Sequence, residues 1–321
     1  MTDAEHRALR DACGLLVRSD VRGLEMTGED RARFLNGLVT CDVKTLAPGA
    51  GVYGFLTQVK GRVLADVTVL ALEDRLWLAL PASEAEAIAD HLARYVIVDR
   101  VEIRPLSGLR PVALIGPGAA AAMGGAEHGF EKVYSHREVE VHGVRTRVVR
   151  EADLGVPAWT LWTPEDQVST LAERLAAERL AGHGAREVGR RAWERLRVEA
   201  GRPLFGQDFG PDHFPQETGL EAEAVSYSKG CYLGQEVVAR IHYRGGVNRL
   251  LRGLRFEGFD DEAAPLGQEI VHEGREAGTV TSAVRSPSLG HVGLAVVHKR
   301  VEPGTRVAVG AGGAEVVALP F

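Results

Sequence analysis

The segment Lys229-Gly230-Cys231-Tyr232-Leu233-Gly234-Gln235-Glu236 brings a thiol, an ammonium group and two glycines together. Glycine permits left-handed or closely approaching backbone and so exposes N–H groups to a ligand. Lys229 lies two residues before the thiol, and Arg240, His242, Arg244, Arg249 and Arg252 follow it, with Glu236 the one acidic residue between Lys229 and Arg252. A local positive excess lowers a thiol's pKa and attracts anions. Cys231 is therefore a candidate functional thiol. The plainer reading makes it a small buried hydrophobe and the basic run a solvated face.

Asp66 is the second candidate. It interrupts the apolar run Val63 to Leu72, where an acid must face solvent, a partner or a ligand. Solvent is the plainer choice. Facing a pocket, its carboxylate suits a ligand that presents N–H donors. Glu199 and Asp208 are further acids within reach of such a pocket, or ordinary surface acids. Trp77, Trp159, Trp162 and Trp193 read as core.

These residues must be positioned by an α+β framework. A first helix is expected over Asp3 to Val17. A second is expected after Thr27 as N-cap, with Phe34, Leu35, Leu38 and Val39 on one face. Val52 to Leu56, Val63 to Leu72 and Leu76 to Leu80 read as strands, with Lys60-Gly61 as a turn between the first two. In the middle strand Val63, Ala65, Val67 and Val69 alternate with Leu64, Asp66, Thr68 and Leu70. Ser83 then caps a helix carrying Ile88, Ala89, Leu92 and Tyr95, with Glu86 in the capping-box position, and Val101 to Ile103 returns as a strand. A like unit follows: strand Trp159 to Trp162, Thr163 as N-cap and Pro164 at the first helical position. Two such units suggest a duplicated subdomain. A helix over Gly184 to Ala200 precedes a glycine-broken, β-prone region from Asn248 to Phe321, which reads as a small sandwich or barrel.

Composition bounds the rest. With 321 residues, 45% hydrophobic and 26% charged, the chain has the usage of a folded protein of two or three domains. Its net charge of −6 argues against nucleic-acid binding by net charge. No apolar run reaches the roughly 18 residues of a membrane span. Cys13, Cys41 and Cys231 are widely separated and odd in number, which suits a reducing, cytoplasmic setting. Without CxxC, HExxH or a Cys/His cluster, no resident metal site is expected.

The cysteine segment resembles the signature of the YgfZ-type folate-binding proteins, which assist iron–sulfur enzymes. Phe214-Pro215-Gln216-Glu217 before it, Val238-Ala239-Arg240 and Arg244-Gly245-Gly246 after it, and Phe34 to Val43 and Leu196 to Gly201 upstream look like further segments of that family. The family is similar in fold to the glycine-cleavage T-protein, an aminomethyltransferase that uses tetrahydrofolate. The resemblance implies an α+β, three-domain T-protein-like ring: two related α+β subdomains plus a C-terminal β-barrel. The expected division is 1–47 with 108–245 as a discontinuous folate-binding domain, 48–107 as an inserted second domain, and 246–321 as the barrel.

Gly61 to Val67 looks like the T-protein strand that carries a folate-contacting catalytic aspartate, so Asp66 takes that position. Tetrahydrofolate, or a derivative, is expected against Asp66, with Glu199, Lys229, Gly230, Tyr232, Gln235 and Arg240 as further contacts and Cys231 as a functional thiol. Ala65, Cys231 and Gln235 depart from the usual T-protein residues and turn the expectation away from transfer on a glycine-cleavage carrier protein. Three functions remain: a folate-binding accessory protein whose partners are iron–sulfur client or assembly proteins, a one-carbon transfer enzyme, and a protein associated with tRNA modification.

Overall fold

The computed structural model describes residues 3–125, 130, 132–177, 184–259 and 265–321. The chain divides into two compact units. The first comprises Met1–Thr57, Ala65–Ala192 and Ala224–Leu233, the second Gln58–Leu64, Trp193–Glu223 and Gly234–Phe321.

Two sheets build the first unit. In chain order its strands are β1 (Gly14–Val17), β2 (Val21–Thr27), β3 (Gly51–Thr57), β4 (Val63–Ala71), β5 (Arg75–Pro81), β6 (Glu102–Pro105), β7 (Leu109–Ile115), β8 (His136–Val141), β9 (Val144–Arg150), β10 (Ala158–Pro164) and β11 (Arg186–Glu187). One sheet has the order β11-β1-β7-β10-β9-β8, the other β3-β4-β5-β2-β6. Leu15, Val112, Leu114, Val148 and Leu161 of the first sheet form a core with Leu171 and Leu175 of the Val168–Ala177 helix. Each such side chain contributes roughly 1.5–3 kcal/mol on burial.

Strand β4 alternates as its sequence predicts. Val63, Ala65, Val67 and Val69 are buried, while Leu64, Asp66 and Thr68 lie half-buried on the opposite face. The turn at Lys60-Gly61 also forms, with Gly61 N–H donating to Gln58 O at 2.8 Å.

In the second unit, β12 (Arg249–Glu257), β13 (Glu269–His272), β14 (Arg275–Ser286), β15 (Gly290–His298), β16 (Arg306–Val309) and β17 (Gly312–Val317) close into a barrel of order β12-β15-β14-β13-β16-β17. Leu254, Ile270, Val280, Val297, Val307 and Val316 fill it. Val198 packs with Leu251, Val292, Leu294 and Val296 in a separate cluster.

Several local expectations are corrected. The first helix ends at Asp11, and Leu15 to Val17 belong to β1, paired with β7 and β11. Thr27 ends β2, leaving Asp30 as the N-cap of the Arg31–Asn36 helix. Ser83 does not cap the Ala85–Ala93 helix, whose N-cap is Glu84 without a side-chain bond. Thr163 remains in β10, fully buried, its hydroxyl 3.0 Å from that of Thr146. The helix expected from Gly184 begins at Arg190, after β11. Among the described residues no helix is long and apolar enough to cross a membrane.

Candidate functional site

Asp66 meets its partner across a strand pair. Tyr53 on β3 donates its hydroxyl to Asp66 Oδ2 at 3.0 Å. The bond fixes the orientation of the carboxylate. Tyr53 is itself buried and set by an edge-on contact with Phe55, ring centroids 5.8 Å apart. Sequence reasoning named Asp66 and missed Tyr53. The two lie 13 residues apart, and only the pairing of the strands brings them together.

The Arg31–Asn36 helix ends beside the other candidate. A helix leaves its last carbonyls without intrahelical donors, and here the chain supplies one from far downstream. The Lys229 ammonium donates to Asn36 O at 2.6 Å, Val39 O at 2.6 Å and Cys41 O at 2.7 Å. Lysine has three N–H donors, and all are thus used inside the fold. Burial pulls Lys229 down to about 8, opposed by Cys41 and Asp42. Its charge also lies 5.1 Å from the centre of the Tyr232 ring.

The surrounding loop is stitched tightly. Thr40 donates its hydroxyl to Ala224 O at 2.6 Å and accepts the Phe55 N–H at 2.8 Å, while its carbonyl accepts the Ser226 N–H at 2.9 Å. Asn36 Oδ1 accepts the N–H of Val43 at 3.0 Å. Leu233 donates its N–H to Gly37 O at 3.0 Å, and its carbonyl accepts the Thr57 hydroxyl at 2.5 Å. Gly54 is required here, because a Cβ would sit 2.5 Å from Cys41 Sγ. Burial pushes the Cys41 thiol up to about 12, with the Lys229 charge pulling the other way.

Within this brace the candidates differ. Cys231 and Gly230 are exposed, so the expectation of a small buried hydrophobe is corrected for Cys231. Tyr232 is 7% exposed. Its hydroxyl is buried without a hydrogen-bond partner among the described residues, and burial pushes the phenol up.

The motif is shared between the units: Lys229 to Leu233 belong to the first, Gly234 to Glu236 to the second. Gly234 has φ 85° and caps the Gln235–Arg240 helix; a Cβ there would run into Gln58 O and lie 3.0 Å from Gly61 Cα. Gln235 is half-buried and Arg240 exposed. Part of the basic run is paired, His242 with Glu221 at 2.9 Å and Arg249 with Glu217 at 3.2 Å. Glu199 and Asp208 also lie in the second unit and, contrary to the surface reading, are only 7% and 1% exposed. Asp208 Oδ2 accepts Arg197 Nη1 at 2.7 Å and Leu204 N–H at 2.9 Å, and Oδ1 accepts the hydroxyls of Thr281 and Ser282, both at 2.6 Å. That carboxylate is committed to structure. Among the described residues no group of three or more His, Cys, Asp or Glu side chains could hold a metal ion.

Fold and residues together define an α+β protein of the T-protein class, with a closed six-stranded C-terminal barrel. The model of the GCVT N-terminal domain matches residues 1–229, and that of the glycine cleavage T-protein C-terminal barrel domain matches 249–321. The chain belongs to the glycine-cleavage T-protein family. It is 33% identical over 336 residues to a probable aminomethyltransferase of Natronomonas pharaonis, covering 99% of this chain and 89% of that protein. It is 27% identical over 304 residues to an aminomethyltransferase of Caldanaerobacter subterraneus subsp. tengcongensis, covering 92% and 80%. The glycine cleavage system aminomethyltransferase T from Bartonella henselae superposes with a TM-score of 0.87 at 25% identity, covering 99% of this chain and 88% of that one.

Proposed function

We propose that the chain is a cytoplasmic tetrahydrofolate-binding protein in which Asp66 accepts hydrogen bonds from the pterin. The Asp66 carboxylate, oriented by Tyr53 on the adjacent strand of a T-protein fold, carries this reading. A carboxylate can accept from ring N–H and amino groups at once. Gly230 and Tyr232, in the same unit as Asp66, are further candidate contacts. Lys229 is assigned to positioning, since its donors are used by carbonyls. Titration calorimetry with tetrahydrofolate tests the reading. Asp66→Asn is expected to weaken binding by about tenfold or more, because an acceptor oxygen becomes a donor facing donors. Unchanged affinity would reject the site.

The finer function is that of an accessory protein for iron–sulfur assembly or repair. It is supported by the Lys229 to Glu236 segment and by the exposed thiol at Cys231. Cys231→Ala is expected to keep tetrahydrofolate affinity within about twofold, since it removes no assigned folate contact, while cells carrying it lose support of iron–sulfur enzyme activity. Full support would remove the thiol from the mechanism.

A second reading is favoured by the relatives named as aminomethyltransferases. In it Asp66 polarises or deprotonates the reacting amine. Formation of methylenetetrahydrofolate from aminomethylated carrier protein would establish this reading, and absence of turnover would dismiss it.

A further inference from the structure

Among the described residues three non-glycine positions have positive φ: Tyr134 at 63°, His142 at 48° and Glu273 at 51°. Two have an immediate explanation. His142-Gly143 joins β8 to β9, and Glu273-Gly274 joins β13 to β14. Two-residue hairpin turns demand this backbone. Tyr134 belongs instead to the Lys132–Ser135 turn, closed by Ser135 N–H donating to Lys132 O at 3.0 Å. The third position of that turn takes a positive φ that glycine or asparagine usually supplies, so a bulky tyrosine there is strained.

What holds Tyr134 there also aims it. Its N–H donates to Arg150 O at 2.6 Å, and His136 N–H donates to Gly49 O at 2.8 Å. The Tyr134 carbonyl occupies the space a side chain would need at Gly51, only 2.5 Å from an ideal Cβ. The backbone of residues 134–136 is therefore laid against the start of β3. With that anchoring, the Tyr134 ring stacks on the Tyr53 ring, centroids 6.2 Å apart and planes inclined by 18°. Phe55 closes the other contact on Tyr53, edge-on. A tyrosine held by two rings has little freedom to swing, and its hydroxyl is the group bonded to Asp66.

We propose that Tyr134 is a positioning residue for the folate site, its ring fixing Tyr53 and, through the Tyr53 hydroxyl, the Asp66 carboxylate. The inference rests on the tetrahydrofolate reading of Asp66 and extends it to a residue that no sequence motif includes. Strained backbone persists where the surrounding structure over-determines it and tends to gather at functional sites.

Tetrahydrofolate affinity and thermal melting of Tyr134→Phe, Tyr134→Leu, Tyr53→Phe, the double variant Tyr53→Phe/Tyr134→Leu and Asp66→Asn test this. Leucine keeps the strained backbone and much of the apolar volume but loses the ring, whereas phenylalanine keeps the ring. Tyr134→Phe is expected to bind within about twofold of wild type and Tyr134→Leu about tenfold more weakly, with the double variant no weaker than Tyr53→Phe, as coupling through one shared hydroxyl requires. A Tyr134→Leu protein that melts earlier yet binds as wild type would overturn the inference, as would strictly additive losses. If Asp66→Asn also binds as wild type, the folate reading falls and takes this inference with it. If Asp66→Asn loses binding while Tyr134→Leu keeps it, this inference falls alone.

Discussion

Replacing Lys229 by methionine is expected to destabilise the protein by about 2–4 kcal/mol. Three carbonyls, those of Asn36, Val39 and Cys41, lose their donor at one stroke. Each buried acceptor left without a partner costs roughly 1–3 kcal/mol. Against this, methionine no longer has to hide a charge that burial already opposes. The carbonyls outnumber the relieved cost, so the net sign is destabilising. Arginine should not rescue the position, because a planar guanidinium cannot direct its donors to three carbonyls that a tetrahedral ammonium satisfies. Urea unfolding gives the magnitude, and thiol labelling locates it. Cys41 and Cys13 are both buried, but Cys13 belongs to the core of the β1–β7 sheet. Faster labelling of Cys41 with Cys13 still protected is the expected pattern. Equal protection of Cys41 in the variant would show that the carbonyls find other donors.

Asp208→Ala is expected to cost about 3 kcal/mol, towards the lower end for breaking a buried ion pair. The pair is fully buried, with Arg197 and Asp208 side chains 1% and 0% exposed. Four donors converge on the carboxylate: Arg197, Leu204 N–H, Thr281 and Ser282. Removing it takes an acceptor from all four, although the Thr281 hydroxyl keeps Leu294 O at 3.0 Å. The loss is moderated because Arg197 keeps Glu194 as a second partner, Nε to Oε2 at 2.9 Å, and also donates to Arg202 O at 3.0 Å. Asp208→Asn, which retains shape and one acceptor, should fall between alanine and wild type. Urea midpoints measure the cost, and hydrogen exchange at Leu204 reports the freed N–H. A midpoint for Asp208→Ala equal to that of wild type would mean the network contributes little.

How much of this was legible depended on whether the signal was local. The barrel was readable because β12 to β17 are short apolar strands punctuated by glycine. The strand of Asp66 was readable because alternation with period two already separates its faces. In contrast, Gly14 to Val17 continued the apolar pattern of a helix, and its pairing with β7 and β11 decided against that reading. The strands β7, β8 and β9 passed unread although Ser107-Gly108 and Gly116-Pro117-Gly118 bracket β7 and His142-Gly143 divides β8 from β9; the many charges of β8 and β9 hide their period-two alternation. Thr163-Pro164 has good helix-start chemistry, but the Thr163 hydroxyl is drawn to Thr146 inside the sheet. At the site the same division holds. Asp66 showed itself as an acid in an apolar strand, whereas Tyr53 and Tyr134 look like any core aromatics until strands pair. Lys229 was read as a charge beside a thiol, and its partners lie too far away in the chain for any spacing rule to find.

That distance has a consequence for synthesis on the ribosome. The carbonyls of Asn36, Val39 and Cys41 leave the exit tunnel early, while their donor follows 193, 190 and 188 residues later. At roughly 5–20 residues per second, the nascent chain must carry this loop unfinished for about ten seconds or more. Water, or a chaperone that tolerates open polar backbone, has to occupy the place of the ammonium meanwhile. A nascent chain stalled before residue 229 would therefore hold the Arg31–Asn36 turn in an immature state, and its maturation would coincide with the emergence of the cysteine segment itself.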